Sequence, residues 1–360
     1  MTPHLNPPIT IGRRTLSRVA ALATVALLAV ACGDSSPSSK PDPASADSPS
    51  GGDKVTLSVG VQRSGSSLVR ELLESSGALE DAPYNIEWAE FDGANAAVEA
   101  LNAGAVDFDI ALNQAAPVLA QGNSKAPWTT ESAPFKVIGA SRTEKSPGIA
   151  IVAQGGSGIS SVADLEGKKV SFAKGTANHY FWVLAALEAG IDPSDVELVL
   201  LPLAEARAAF QSGAVDALVT AVTYARQLVA TAGGEILTTS QGRFDSYSWV
   251  VARPEVLDDP AVADAAGDLL TRLQRANEWA SAHPDEVAAL YESKAKQSPE
   301  DAKLSAEEEI GTYVPIDDSV IKTQQDQADT FLDQGVTASK VDVHIAFDTR
   351  FNEVVKAGEP

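Results

Sequence analysis

Two short stretches combine residue types suited to holding an anion. Gly175-Thr176-Ala177-Asn178-His179-Tyr180 sets a glycine, a hydroxyl, an amide and an imidazole at the start of a run with helical apolar spacing. Glycine lets the backbone approach a bound group closely, and the first turn of a helix leaves N–H groups without partners at the positive end of its dipole. Gln62-Arg63-Ser64-Gly65-Ser66-Ser67 is a second donor set of this kind, or, on spacing alone, a solvated loop. Charge-assisted hydrogen bonds contribute roughly 1–3 kcal/mol each, so micromolar affinity requires several to converge. The candidate contacts are Gln62, Ser64, Gly65, Ser66, Gly175, Thr176, Asn178, His179 and Tyr180. Arg63 and Arg142 are either counter-charges or exposed solubility residues. Other chemistries lack their residues. Cys32 is the only cysteine, which excludes an intrachain disulfide and argues against a thiolate metal site. His4, His179, His283 and His344 form no helical metal pair, and no spacing suggests a Ser-His-Asp set. The expectation is a binding protein, without catalytic residues, metal or cofactor.

Both candidate loops follow strands. Lys54 to Val61 alternates and is rich in β-branched residues, and Lys169 to Ala173 is again strand-like. After the first loop, Leu68, Val69, Leu72 and Leu73 take helical spacing up to Gly77; after the second, Tyr180, Val183, Leu184 and Leu187 do so up to Gly190. Each unit then returns through one phrase: Glu99-Ala100-Leu101-Asn102-Ala103-Gly104-Ala105-Val106-Asp107 matches Ala208-Ala209-Phe210-Gln211-Ser212-Gly213-Ala214-Val215-Asp216. Loop glycine to return glycine is 39 residues in the first unit and 38 in the second. Equal pitch and a shared phrase predict two similar α/β lobes, and ligands of open α/β sheets bind beyond the carboxyl ends of the strands. The polar breaks at Ser141–Gly148 and Ser240–Asp245 are the expected crossings. This makes lobe 1 discontinuous, 55–146 and 243–360, with lobe 2 at 147–242. The rest is mostly helical: one helix carries Val262 to Trp279, Pro284 opens another, Ser305 with Glu308 fits a capping box, and Asp317 to Gln334 forms a last one. Phe181 and Trp182 are expected to divide between core and cleft edge.

The first fifty residues are an address and a tether. Arg13, Arg14 and Arg18 precede an apolar run from Val19 to Ala31, too short for an ordinary membrane span and fit for a signal peptide over 1–31. Residues 32–54, rich in Ser, Pro, Asp and Gly, have no apolar period and read as a flexible linker. Beyond the leader, 24 basic residues face 49 acidic ones, a net charge of −25, which repels phosphate backbones and excludes nucleic acid as a partner. The 44% hydrophobic content of the 360 residues excludes a wholly disordered chain and suffices for two compact domains.

Leu28-Ala29-Val30-Ala31-Cys32-Gly33 resembles a bacterial lipobox, with Ala29 where leucine is usual. That resemblance implies lipidation at Cys32, and a membrane contact through the lipid at the outer face of the cytoplasmic membrane. Gly60-Val61-Gln62-Arg63-Ser64-Gly65, the phrase Ser161 to Val170, Gly175-Thr176-Ala177-Asn178-His179-Tyr180 and Ala209 to Asp216 resemble the aliphatic-sulfonate, taurine and nitrate family of ABC-transporter substrate-binding proteins, over Val55 to about Val355. The resemblance implies a two-lobed periplasmic binding protein fold of type II. It also implies capture of a small organic anion between the lobes by a monomer, and delivery to an ABC permease in the membrane. Two departures stand out. Leu112-Asn113-Gln114-Ala115-Ala116 replaces a Gly-Asp-Thr-Pro-Pro-like turn, and Ala221-Val222-Thr223-Tyr224 replaces Trp-Asp-Pro-Phe/Tyr. Loss of that Trp and carboxylate makes taurine a poorer fit than an uncharged or bulkier tail, which Asn113, Gln114 and Tyr224 could contact, with a core position as the alternative for Tyr224. The alternatives are a relative that binds nitrate, bicarbonate or a thiamine pyrimidine precursor, and a desulfinase-like enzyme. The enzyme would need a cleft cysteine, and Cys32 precedes the tether.

Overall fold

In the computed structural model, residues 54–62, 68–143 and 148–356 are described. Cys32, its apolar leader and the tether lie outside the described residues, as do Arg63, Ser64, Gly65 and Ser66. The first repeat unit runs β1 (Thr56–Gln62), α1 (Val69–Ser75), β2 (Asn85–Phe91), α2 (Ala94–Ala103), β3 (Phe108–Asn113) and α3 (Ala116–Gly122). After β4 (Lys136–Thr143) and β5 (Ile149–Ala153), the second runs β6 (Lys169–Phe172), α4 (Ala177–Glu188), β7 (Glu197–Leu200), α5 (Leu203–Gln211), β8 (Ala217–Ala221) and α6 (Val222–Ala232). Then come β9 (Glu235–Thr239), β10 (Ser246–Ala252), α7 (Pro260–Ala282), α8 (Pro284–Lys294), α9 (Pro299–Glu308), β11 (Thr312–Val314), α10 (Asp318–Asp333) and α11 (Asn352–Lys356).

The repeated phrase does the same work twice. Gly104 and Gly213 close α2 and α5 at φ of 68° and 73°, a left-handed backbone that glycine adopts without steric cost. Ala-Val-Asp then feeds a strand parallel to the first of its unit, with Val59 opposite Phe108 and Val170 opposite Ala217. Asp107 N–H donates to Ser58 O at 3.0 Å; Asp216 N–H donates to Lys169 O at 2.9 Å, and its carboxylate accepts from Lys169 N–H at 2.8 Å.

Two mixed sheets result. One has the order β11-β4-β10-β3-β1-β2, the other β7-β6-β8-β5-β9. The chain leaves the first sheet after β4 and returns through β10, which pairs antiparallel with both β3 and β4. In the second sheet α4 covers one face, with Val170, Phe172, Phe181 and Trp182 in its core. Helices α5 and α6 cover the other, through Ala206, Phe210, Val222 and Ala225. On the first sheet α1, α7, α8 and α9 share one buried cluster, and α2 shares another with β4 and β10. An apolar seam of Ala115, Val118, Tyr180 and Phe331 joins α4 to α3 and α10.

Phe181 and Trp182 do not divide between core and cleft: both are fully buried, and the Trp182 indole N–H donates to Pro193 O. The capping box also fails. Ser305 lies inside α9, which Ser298 caps by accepting from Asp301 N–H. Glu308 instead forms a bidentate pair with Arg226 of α6 at 2.9 and 3.2 Å. Pro299 at the first helical position sets the start of α9 three residues after Lys296.

Candidate functional site

The carboxyl ends of β6 and β8 point the same way, because the two strands are parallel neighbours. From the end of β6 the chain turns at Gly175, φ 71°, into α4, whose N-cap is Thr176. The cap closes on itself. Thr176 Oγ1 donates to Ala173 O at 2.8 Å and accepts from His179 N–H at 3.5 Å, and Gly175 N–H donates to His179 Nδ1 at 3.2 Å. Gly175 packs so near Leu119 of α3 that an added Cβ would stand 3.1 Å from it. The Ala177 and Asn178 amides are the donors left over; they and the half-buried Asn178 side chain take no partner from the described residues.

His179 and Tyr180 are both buried behind the turn. His179 is buried between Phe172 and Phe331, with ring centroids 5.0 and 5.8 Å away. Burial, helped by the Lys174 charge, lowers its pKa to about 4, so it is neutral and offers an anion no charge. Tyr180 lies in the apolar seam against Phe244 and Phe331, and burial raises its hydroxyl to about 12.

Across from this turn, Gln62 ends β1 and donates its amide to Ala111 O at 3.1 Å, tying β1 to β3. Asn113 ends β3 exposed. Its Oδ1 accepts from Ala115 N–H at 2.9 Å, leaving the NH₂ group without a partner among the described residues. Gln114 is buried; its Oε1 accepts from Tyr247 N–H and its carbonyl accepts from Trp249 Nε1 and Gln324 Nε2, bracing the β3–β10 junction, while its Nε2 has no partner among the described residues. Arg142, at the end of β4, faces the Tyr247 hydroxyl and Asp317.

Tyr224 sits in the first turn of α6 with its ring under the guanidinium of Arg207 from α5. Arg207 carries no signal in the sequence, because a single arginine among alanines on a helix reads as solvated. The repeat could have exposed it. Carried one residue before the matched phrases, the alignment sets Arg207 against Val98 of α2, an apolar residue packed against the first core. One titratable residue lies deeper. Asp109 of β3 is fully buried; its Oδ1 accepts from Ala111 N–H, Oδ2 has no partner, and burial raises its pKa to about 7.

A model of the NMT1-like family matches residues 73–292. Two proteins named for binding aliphatic sulfonates are similar to this chain. The one from Escherichia coli (strain K12) is 28% identical over 298 residues, covering 80% of this chain and 86% of its own. The one from Bacillus subtilis (strain 168) is 28% identical over 305 residues, covering 82% and 86%. The crystal structure of the E. coli periplasmic aliphatic sulphonate binding protein SsuA superposes with a TM-score of 0.69 at 25% identity, over 81% of this chain and 91% of that one. The desulfurization enzyme DSZB shares the fold, at a TM-score of 0.60 and 16% identity over 85% of this chain and 100% of its own. That likeness concerns the fold only.

Proposed function

The chain belongs to the NMT1-like family, and from that premise we propose that it is the extracytoplasmic solute-binding component of an ABC importer, capturing an organic sulfonate between two lobes. The lobes are residues 55–146 with 243–360, and residues 147–242. The observation that carries this reading is the first turn of α4. Its Ala177 and Asn178 amides and the Asn178 side chain stand unpartnered at the carboxyl end of β6, in a chain similar over four-fifths of its length to a sulfonate binder. Fixed N–H donors at a helix start suit a tetrahedral oxyanion without needing a cation, and His179, neutral and buried, holds the turn that aims them. The Asn113 amide at the end of β3 and Ser64, Gly65 and Ser66 after β1 complete the seat from the facing lobe. Cys32 carries the lipid after removal of the leader, holding the protein to the outer face of the membrane.

The reading is that of a binder rather than an enzyme. A desulfinase reading lacks its nucleophile, since Cys32 is the only cysteine and stands before the tether. Calorimetric titration with alkane sulfonates of increasing tail length, nitrate, bicarbonate and a methylpyrimidine tests the assignment. Sulfonates are expected to bind at micromolar levels or tighter, with taurine weaker than a neutral tail of equal length. Asn178→Ala with Thr176→Ala should weaken them at least thirtyfold while the fold persists. Nitrate or the pyrimidine binding more tightly than every sulfonate would overturn the ligand class, and an unaltered double variant would overturn the seat.

A further inference from the structure

On the side of the second sheet that α5 and α6 cover, a cavity of about 660 Å³ is lined by these two helices and, facing them, by the α8–α9 turn and the first half of α9. Its walls carry an unusual charge arrangement. In a chain with 49 acidic and 27 basic residues, most of the described arginines find a carboxylate. Arg226 at this cavity does so through Glu308. Asp301 is likewise occupied, by the Ser298 hydroxyl and the Gln227 amide. Arg207 is different. It has no carboxylate within ion-pair distance among the described residues, and its Nε is sealed from solvent without a hydrogen-bond partner. The guanidinium carbon stands over the Tyr224 ring, 2.9 Å from its centroid, and this contact holds the group in place. Lys296, the only non-glycine described residue with a left-handed backbone, φ 57°, brings an ammonium to the rim, with only the Ser293 carbonyl as partner among the described residues. Glu300 also lines the cavity, exposed and outside ion-pair distance of either cation.

The repeat shows that packing does not require a cation here. The matched position in the first unit is Val98, half-buried and packed on the core. Placing an arginine there costs desolvation, which Tyr224 offsets only in part and no carboxylate among the described residues offsets. A planar, pre-oriented guanidinium beside apolar Leu228 and Leu304 suits a ligand with an oxyanion head and an apolar tail.

We propose that this cavity is an anion-binding subsite in which Arg207, braced by Tyr224, pairs with the head of an organic oxyanion such as a sulfonate. It is separate from the α4 turn, on the other face of the same sheet, and rests on the proposed function only for the choice of sulfonate as the first anion to try. Binding here would join α6 to the α8–α9 turn through the ligand, alongside the Arg226–Glu308 pair.

The test titrates the full chain, labelled with ¹⁵N, with hexanesulfonate and with sulfate, following the arginine Nε–H resonances. The Arg207 signal, assigned by its loss in Arg207→Gln, should move saturably with hexanesulfonate. Followed at Arg226, which lines the same cavity and keeps its own resonance, hexanesulfonate binding should weaken at least tenfold in Arg207→Gln and recover in part in Arg207→Lys. In Thr176→Ala/Asn178→Ala the Arg207 response should persist, which separates this subsite from the α4 seat. Melting curves by circular dichroism establish that each variant is folded. An Arg207 resonance unmoved by either probe at millimolar concentration overturns the subsite, even where sulfonate binding at α4 is intact. A moving Arg207 resonance without any binding lost in the α4 double variant supports the subsite and removes the proposed seat. Response to sulfate but not to hexanesulfonate would show a site for small inorganic anions and overturn the organic ligand class.

Discussion

Asp109→Asn should raise stability at pH 8 and remove a large part of the dependence of stability on pH. The carboxyl lies in β3 close against Gly60, where an added Cβ would stand 3.0 Å from Oδ2, and that buried oxygen has no partner among the described residues. Burial is the dominant cause of its elevated pKa, and the bond from Ala111 N–H opposes it. The sign follows from proton counting. Below pH 3.8 folded and unfolded chains both hold the proton; between 3.8 and about 7 only the folded chain does. Stability therefore falls as pH rises through this window, by about 1.4 kcal/mol per pH unit, to a total loss of about 4 kcal/mol above it. Asparagine has the shape of the protonated acid and no charge to desolvate, so the variant should retain most of that energy at pH 8 and match the wild type near pH 4. Urea unfolding followed by tryptophan fluorescence at half-unit steps from pH 4 to 8.5 reads both curves. Parallel curves for the two proteins, or a variant less stable at pH 8, would refute the claim that Asp109 is an uncompensated buried acid.

His179 acts in the opposite direction. With its folded pKa lowered to about 4 from 6.5, its contribution is complete above 6.5 and is lost as pH falls toward 4, by up to about 3 kcal/mol. Its imidazole should stay neutral at pH 5.5 by ¹⁵N shifts, with Nδ1 the unprotonated nitrogen because it accepts from Gly175; a protonated ring at that pH would contradict the buried placement. The Arg226–Glu308 pair links α6 to α9 with side chains 29% and 22% exposed. A double-mutant cycle through Arg226→Ala and Glu308→Ala should give a coupling of about 1 kcal/mol that shrinks in high salt. A coupling of zero would mean that the two helices do not meet through this contact in solution.

Much of the architecture is local and so was legible in the chain. Alternation in Val55–Val61, helical spacing from Val262 to Trp279, and the doubled Gly-Ala-Val-Asp phrase depend on neighbours within one or two turns, and each sets an element whatever packs on it later. Thr176 and Asn178 were readable for the same reason, since a cap and a first turn are made from adjacent residues. The capping box at Ser305 shows the limit of such rules. The pattern was present, yet Ser298 and Pro299 had already started α9 about two turns earlier.

What adjacency could not supply is the partner a side chain meets from far along the chain. Gln114 is buried because Tyr247 and Gln324 converge on it from more than 130 residues away, and Tyr180 because Phe331 closes over it. Arg207 looks like any exposed helical arginine until the α8–α9 turn encloses its cavity and no carboxylate arrives. Periodicity says which side of an element is apolar. Whether a polar group is stranded, satisfied or held ready for a ligand is set by chain segments that only folding brings together, because hydrogen bonds and ion pairs act over a few ångströms and take no account of sequence distance.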